Sequence, residues 1–182
     1  MKYANIKYYD VANGPGVRTS LFVSGCTHRC EGCFNEIAWD FDYGRDFTKE
    51  TIAEIVDSLR EDYIAGITLL GGEPMEKVNQ KGIFPLVSEL KRRFPNKNLW
   101  IYSGYTFDID LMPGGRAYCE ETDKILSLCD VIVDGKFVES LYDITLRFRG
   151  SSNQRLIDVQ RSLREGKAVL WEGDADFAVH SM

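Results

Sequence analysis

Cys26, Cys30 and Cys33 fall in one short stretch, Cys26-Thr27-His28-Arg29-Cys30-Glu31-Gly32-Cys33, with the spacing CxxxCxxC. Thiolates are soft metal ligands, and a [4Fe–4S] cluster is normally held by four cysteines, one per iron. Here three stand together and no fourth is equally close. Three thiolates would leave one iron with an open coordination position, and an open position separates a reactive metal site from a structural one. His28 offers a different completion, a structural Cys3His zinc site. It sits between two of the cysteines, where reach back to a shared ion is poor, and zinc sites of that kind are usually assembled from two separated pairs of ligands. The other two cysteines, Cys119 and Cys129, have a helical and mostly apolar neighbourhood and are expected as buried thiols. One of them remains an alternative fourth ligand or redox partner.

Something must hold the cysteine loop, and the pattern around it alternates strands with helices. Val17-Arg18-Thr19-Ser20-Leu21-Phe22-Val23 is β-branched and aromatic and runs straight into the loop, with room for another strand before it. Thr48 is the expected N-cap of a helix that places Ile52, Ile55, Val56, Leu59 and Tyr63 on one face. A short apolar strand, Ile67-Thr68-Leu69-Leu70, stops at Gly71-Gly72, and a second helix near 83–93 stops at Phe94-Pro95. Leu99-Trp100-Ile101-Tyr102 and Val131-Ile132-Val133 are the next strands, with a weaker helix around 118–128 between them. A short helix over 158–164 and a further strand at Ala168-Val169-Leu170-Trp171 complete the reading. His180 is expected in a frayed tail.

Such alternation predicts an α/β fold with βαβ units and a mostly parallel sheet. A closed eight-stranded barrel takes roughly 250 residues, and the chain has 182, so an open or partial TIM-like barrel is expected, as one domain over 1–182 with a core at about 5–160 and an extension over 161–182. Parallel α/β folds carry their chemistry at strand C-termini. Four segments would therefore converge on one rim: the cysteine loop, Gly71-Gly72-Glu73-Pro74, Tyr102-Ser103-Gly104-Tyr105-Thr106 and Val133-Asp134-Gly135-Lys136. The aromatic run Trp39, Phe41, Tyr43 and Phe47 is read as local packing.

Composition bounds the function. Net charge of −6 argues against a general nucleic-acid binder, whose footprint would be basic. No apolar run approaches the roughly 20 residues that cross a bilayer, and the N-terminus lacks the apolar region of a secretory signal. A cytoplasmic protein is expected, with no membrane partner. An odd count of five cysteines in a reducing compartment then favours metal binding or catalysis over disulfides.

CxxxCxxC followed by Phe34, with Gly71-Gly72-Glu73-Pro74 after the next strand, resembles the radical S-adenosylmethionine (SAM) enzymes. Asn13-Gly14-Pro15-Gly16-Val17-Arg18 and Phe22-Val23-Ser24-Gly25-Cys26 resemble the glycyl-radical-enzyme activases within them. Trp100-Ile101-Tyr102-Ser103-Gly104-Tyr105, Val133-Asp134-Gly135-Lys136-Phe137 and Arg149-Gly150-Ser151-Ser152-Asn153-Gln154-Arg155 narrow the likeness to activators of anaerobic ribonucleoside-triphosphate reductases. These motifs are spread over most of the chain, which makes chance agreement an inadequate explanation.

The resemblance implies a partial barrel of the radical SAM type, with Cys26, Cys30 and Cys33 as ligands of one [4Fe–4S] cluster. SAM would chelate the open iron through its amino and carboxylate groups. Reductive cleavage would give methionine and a 5′-deoxyadenosyl radical, which would take a hydrogen from a backbone glycine of the reductase's large subunit. Gly32, Cys33 and Phe34 would approach SAM, the aromatic ring beside the adenine. Gly71, Gly72 and an exposed Glu73 carboxylate, or nearby carbonyls, would meet its methionyl end. Asn13, Arg18, Ser103, Asp134 and Lys136 would shape the partner or substrate side. A flavodoxin-like protein is the implied electron donor. A pyruvate formate-lyase activase usually carries Asp where Asn13 stands and is longer. A small-molecule radical SAM enzyme, such as a deazapurine-forming synthase, is disfavoured by the Asn-Gly-Pro-Gly entry and the 149–154 segment. A zinc-binding module is the non-enzymatic alternative.

Overall fold

A computed structural model describes residues 1–173; His180 lies outside them. Seven strands form one sheet: β1 (Lys2–Asp10), β2 (Val17–Val23), β3 (Arg45–Asp46), β4 (Ile64–Gly71), β5 (Asn98–Tyr102), β6 (Val131–Asp134) and β7 (Arg155–Asp158). Their order is β3-β1-β2-β4-β5-β6-β7, so the sheet is open, with β3 and β7 at its edges. The four central strands run parallel, while β1 is antiparallel to both β2 and β3, and β7 is antiparallel to β6. The sheet is therefore mixed, not mostly parallel as the alternation suggested. Gly14 and Gly16 take positive φ in a tight reversal that folds β1 back on β2. Between β6 and β7 the chain makes no helical crossover of the kind that parallel neighbours require.

The helices are α1 (Lys49–Asp57), α2 (Lys77–Arg93), α3 (Phe107–Asp110), α4 (Thr122–Leu126) and α5 (Val159–Glu165). Thr48 caps α1 as expected, its hydroxyl accepting from Thr51 N–H. The helix stops at Asp57, which leaves Tyr63 beyond its reach and 60% exposed. Helix α4 is much shorter than the 118–128 expectation, and 168–171 is not a strand. It makes only an isolated bridge, Ile157 to Leu170, with Trp171 N–H donating to Leu156 C=O at 2.8 Å.

Alternation along the strands separates two faces. Leu21, Val23, Leu69, Leu99 and Ile101 join Ile55, Ile83, Leu86 and Leu90 in the main core. Trp100, Val131 and Val133 instead form a smaller cluster with Tyr102, Phe148, Leu156 and Trp171. Arg18, fully buried, lies with its guanidinium 5.6 Å from the Trp100 ring. It donates to Thr68 Oγ1, Ile67 C=O and Pro15 C=O at 2.8–2.9 Å. The charge is thus taken up by oxygen dipoles and a ring face. It ties the β1–β2 turn to β4 as a structural post.

Asp10, also fully buried, closes the other side of that turn. Its carboxylate accepts from Ser20 Oγ, Asn13 Nδ2, Ala12 N–H and Lys7 Nζ. Burial works to raise its pKa, but the four donors overcome it and hold the group at about 2. Because the folded value lies below the ordinary carboxylate value of about 3.9, the stabilisation is complete above that value and is lost as pH falls towards 2. Urea unfolding should show wild type more stable than Asp10→Asn at pH 6, with the gap narrowing on acidification to pH 2.5; a constant gap would contradict the assignment.

Candidate active site

The C-terminal ends of β2, β4, β5 and β6 feed one cavity of about 780 Å³, within the range of small-molecule and cofactor sites. Cys26, Cys30 and Cys33 line it together with Phe34, Gly71, Gly72, Glu73, Ser103, Gly104 and Gly135. The expected convergence of four segments is therefore present. Phe22, Leu70 and Tyr102 supply its floor, since they point to the face of the sheet opposite the main core. Asn13 reaches the same cavity from the β1–β2 turn.

Hydrogen bonds rather than apolar burial hold the cysteine loop. Gly25 and Cys26 donate their N–H groups to the carbonyls of Ala38 and Trp39 at 2.8 and 3.1 Å. Gly72 N–H donates to Val23 C=O and Glu73 N–H to Gly25 C=O, at 2.7 and 2.8 Å. Close approach requires glycine here. Gly71 has φ +106°, and a Cβ on Gly72 would lie 2.6 Å from the Gly25 carbonyl oxygen. From the first turn of α2, buried Asn79 donates Nδ2 to the carbonyls of Ser24 at 3.0 Å and Glu73 at 2.9 Å. Glu76 accepts from both Thr27 N–H and Thr27 Oγ1.

Glu73 is only 1% exposed, which corrects the expectation of an exposed carboxylate. Its Oε1 accepts from Met75 N–H and Ser103 Oγ, both at 2.8 Å, and its Oε2 from Gly104 N–H at 2.7 Å. The side chain joins the loops after β4 and β5, with its acceptors already engaged. Nε2 of His28 is 3.0 Å from Oε2 but outside hydrogen-bond geometry.

Burial pushes the Cys26 thiol up to about 12 and raises Cys30 as well, the nearby Lys136 charge opposing the latter. Both are neutral thiols at pH 7, so neither is a ready nucleophile, and a bound metal would displace their protons. Among the described residues no three His, Cys, Asp or Glu side chains gather as the ligands of one metal ion. A cluster takes one thiolate per iron, and the three cysteines line one cavity. Cys119 and Cys129 do not line the cavity; Cys129 is buried with its thiol near the Val131 carbonyl.

The remaining expected residues divide. Ser103 and Asn13 line the cavity, whereas Gly32, Arg18, Asp134 and Lys136 do not. Asp134 is buried and bound to Arg155 and to Phe107 N–H. Phe34 is 79% exposed at the cavity mouth, its ring 5.5 Å from Phe137 and 5.9 Å from Tyr142. Trp39 and Tyr43, expected as packing alone, also line the cavity, while Phe47 packs edge-on to Tyr3. The 149–154 segment is bonded to itself through Gln154 and meets β6 where Gln154 Nε2 donates to Gly135 C=O. Sequence reasoning missed Glu76 and Asn79, and it gave Tyr102 and Gln154 no individual role although both lay in segments it singled out. Polar residues at 73, 76 and 79, spaced at three, were the available signal for the first two.

A family model described as a 4Fe-4S single cluster domain matches residues 12–157. The anaerobic ribonucleoside-triphosphate reductase-activating protein of Enterobacteria phage T4 is 43% identical over 157 residues, covering 86% of this chain and 93% of that protein. The protein of the same name from Escherichia coli K12 is 39% identical, covering 85% and 96%. That from Vibrio cholerae is 38% identical, also covering 85% and 96%.

Asn79→Ala leaves three loop carbonyls, those of Ser24, Gly25 and Glu73, without this donor. Urea denaturation should show a loss of about 2 kcal/mol, the typical cost of abandoning buried partners. A loss under about 0.5 kcal/mol would mean that the latch contributes little.

Proposed function

The chain belongs to the family of anaerobic ribonucleoside-triphosphate reductase-activating proteins, and on that footing we propose that it activates such a reductase by generating a radical on a glycine of the large subunit. The observation that carries this reading is the meeting of three cysteines and the Gly71-Gly72 backbone in one cavity at the ends of parallel strands. Bound there, a [4Fe–4S] cluster would supply one-electron reduction of SAM, the chemistry needed to take a hydrogen from the partner's glycine.

Cys26, Cys30 and Cys33 would hold the cluster. The Gly32-Cys33-Phe34 segment and the Gly71-Gly72 backbone would flank SAM. Phe34, Phe137 and Tyr142 form an aromatic mouth suited to excluding water from a reactive intermediate. Glu73, itself at the cavity wall, holds the two strand-end loops together. Asn13 and Ser103 offer polar contacts within the cavity, and Lys136 stands outside it as an exposed cation. Arg18 and Asp134 support the wall without reaching the ligand. The sheet is open; read as a partial barrel of the radical SAM type forming one domain, it would leave a side for a loop of the partner. A flavodoxin-like donor and a cytoplasmic setting are taken from the family likeness; among the described residues no helix is long and apolar enough to cross a membrane.

Anaerobically reconstituted protein, reduced with SAM present, should release 5′-deoxyadenosine. About four irons per chain with no such product, even with a reductase added, would count decisively against the radical reading. Cys30→Ala should leave the chain folded by circular dichroism and unable to assemble the cluster. A variant that still binds iron and cleaves SAM would remove Cys30 from the ligand set.

A further inference from the structure

His28 lies two residues from Cys26 and two from Cys30, yet no role above uses its side chain. That side chain is 5% exposed and is packed where three loops meet. Its ring stands edge-on to Tyr105, with centroids 4.4 Å apart. A Cβ on Gly104 would lie 2.6 Å from its Cδ2 and 2.7 Å from its Nε2, so the bare backbone at 104 is what admits the ring. Nε2 faces Oε2 of Glu73 at 3.0 Å, and that same oxygen accepts Gly104 N–H. One imidazole on the cysteine loop therefore touches the loops after both β4 and β5.

A plain space-filling role accounts poorly for this. Nε2 is buried without a hydrogen bond, which costs stability. A leucine or phenylalanine would fill the volume at no such cost. What the imidazole adds is a polar edge against Glu73. A zinc-ligand role fares no better, because His28 gathers with no group of potential ligands around one point.

We propose that His28 is a positioning residue, wedged between Glu73 and Gly104-Tyr105, that fixes the cysteine loop against the strand-end loops facing the methionyl end of SAM. The proposal rests on the radical SAM reading above. It goes beyond that reading in assigning the register between cluster and SAM to His28, which lines the same cavity and is given neither cluster ligation nor SAM binding by that reading. Outer-shell partners of metal ligands act in this way, by orienting what they do not bind.

The test compares reconstituted wild type with His28→Ala, His28→Gln, Gly104→Ala and the His28→Ala/Gly104→Ala double variant. Iron content, SAM affinity and the electron paramagnetic resonance spectrum of the reduced cluster are read for each. His28→Ala should keep its iron while SAM affinity falls roughly 10- to 100-fold, the usual range for outer-shell partners, and the spectral change induced by SAM should diminish. His28→Gln, which can place an amide near Glu73, should recover part of both. Gly104→Ala should weaken SAM binding alone yet add nothing to His28→Ala, since both act through one contact. Unchanged SAM affinity in His28→Ala, loss of its iron, or additive effects in the double variant would each overturn the proposal. Wild-type protein that holds iron but never binds SAM would instead sink the radical reading. The positioning role is then decided by amide hydrogen exchange in the metal-free chain. His28→Ala must accelerate exchange at Gly104 and Tyr105, and unchanged exchange would refute it.

Discussion

The buried carboxylate of Glu73 is the contact around which the rest of the site is arranged. A carboxylate removed from water is tolerated only when donors replace its hydration. Here Met75 N–H, Ser103 Oγ and Gly104 N–H do so from two different loops. Satisfying one charge thereby fixes the relative placement of the β4 and β5 ends. The backbone of the same residue reaches the third loop, its N–H donating to Gly25 C=O just before the first cysteine. A surface carboxylate in this position could join nothing, because water would compete for each donor.

The sheet makes such a node possible by dividing its faces. One face packs α1, α2 and α4 into an apolar core that ends at the strand tips. The other is left partly open, floored by Phe22, Leu70 and Tyr102 and closed lower down by Trp100, Phe148 and Trp171. The cavity thus has a rigid floor and a polar, loop-built rim. Arg18 and Asp10 do for the β1–β2 turn what Glu73 does for the rim. Each is a buried charge that sets loop position by demanding several partners at once.

Much of this was legible in the sequence, and the reasons are local. The central strands declare themselves because they are short apolar runs stopped by glycine, as at Leu70-Gly71-Gly72 and Tyr102-Ser103-Gly104. Thr48 announces α1 through a cap that needs only neighbouring residues. The failures are non-local. Strand β7 was missed because Arg155–Asp158 has little strand character of its own and is ordered by pairing with β6. The antiparallel edges were missed because strand direction depends on whether a crossover helix intervenes, and the 137–154 segment provides none. The exposed Glu73 was an error of the same type, since a motif's spelling does not reveal which way its side chain faces.

The sequence by itself determined that three thiols stand close together with no fourth beside them. Three thiols spaced CxxxCxxC are bound to share a loop by covalent connectivity, whatever the remainder of the chain does. It also determined the glycines at the strand ends, where backbone must approach backbone. Only the tertiary structure decided what holds that loop in place. Asn79 to Ser24, Glu76 to Thr27, Ser103 to Glu73 and His28 to Gly104 are contacts across 30 to 76 residues of chain. No local pattern encodes such pairings. They exist because the parallel strands deliver distant loops to one rim, where buried polar groups must find partners in one another.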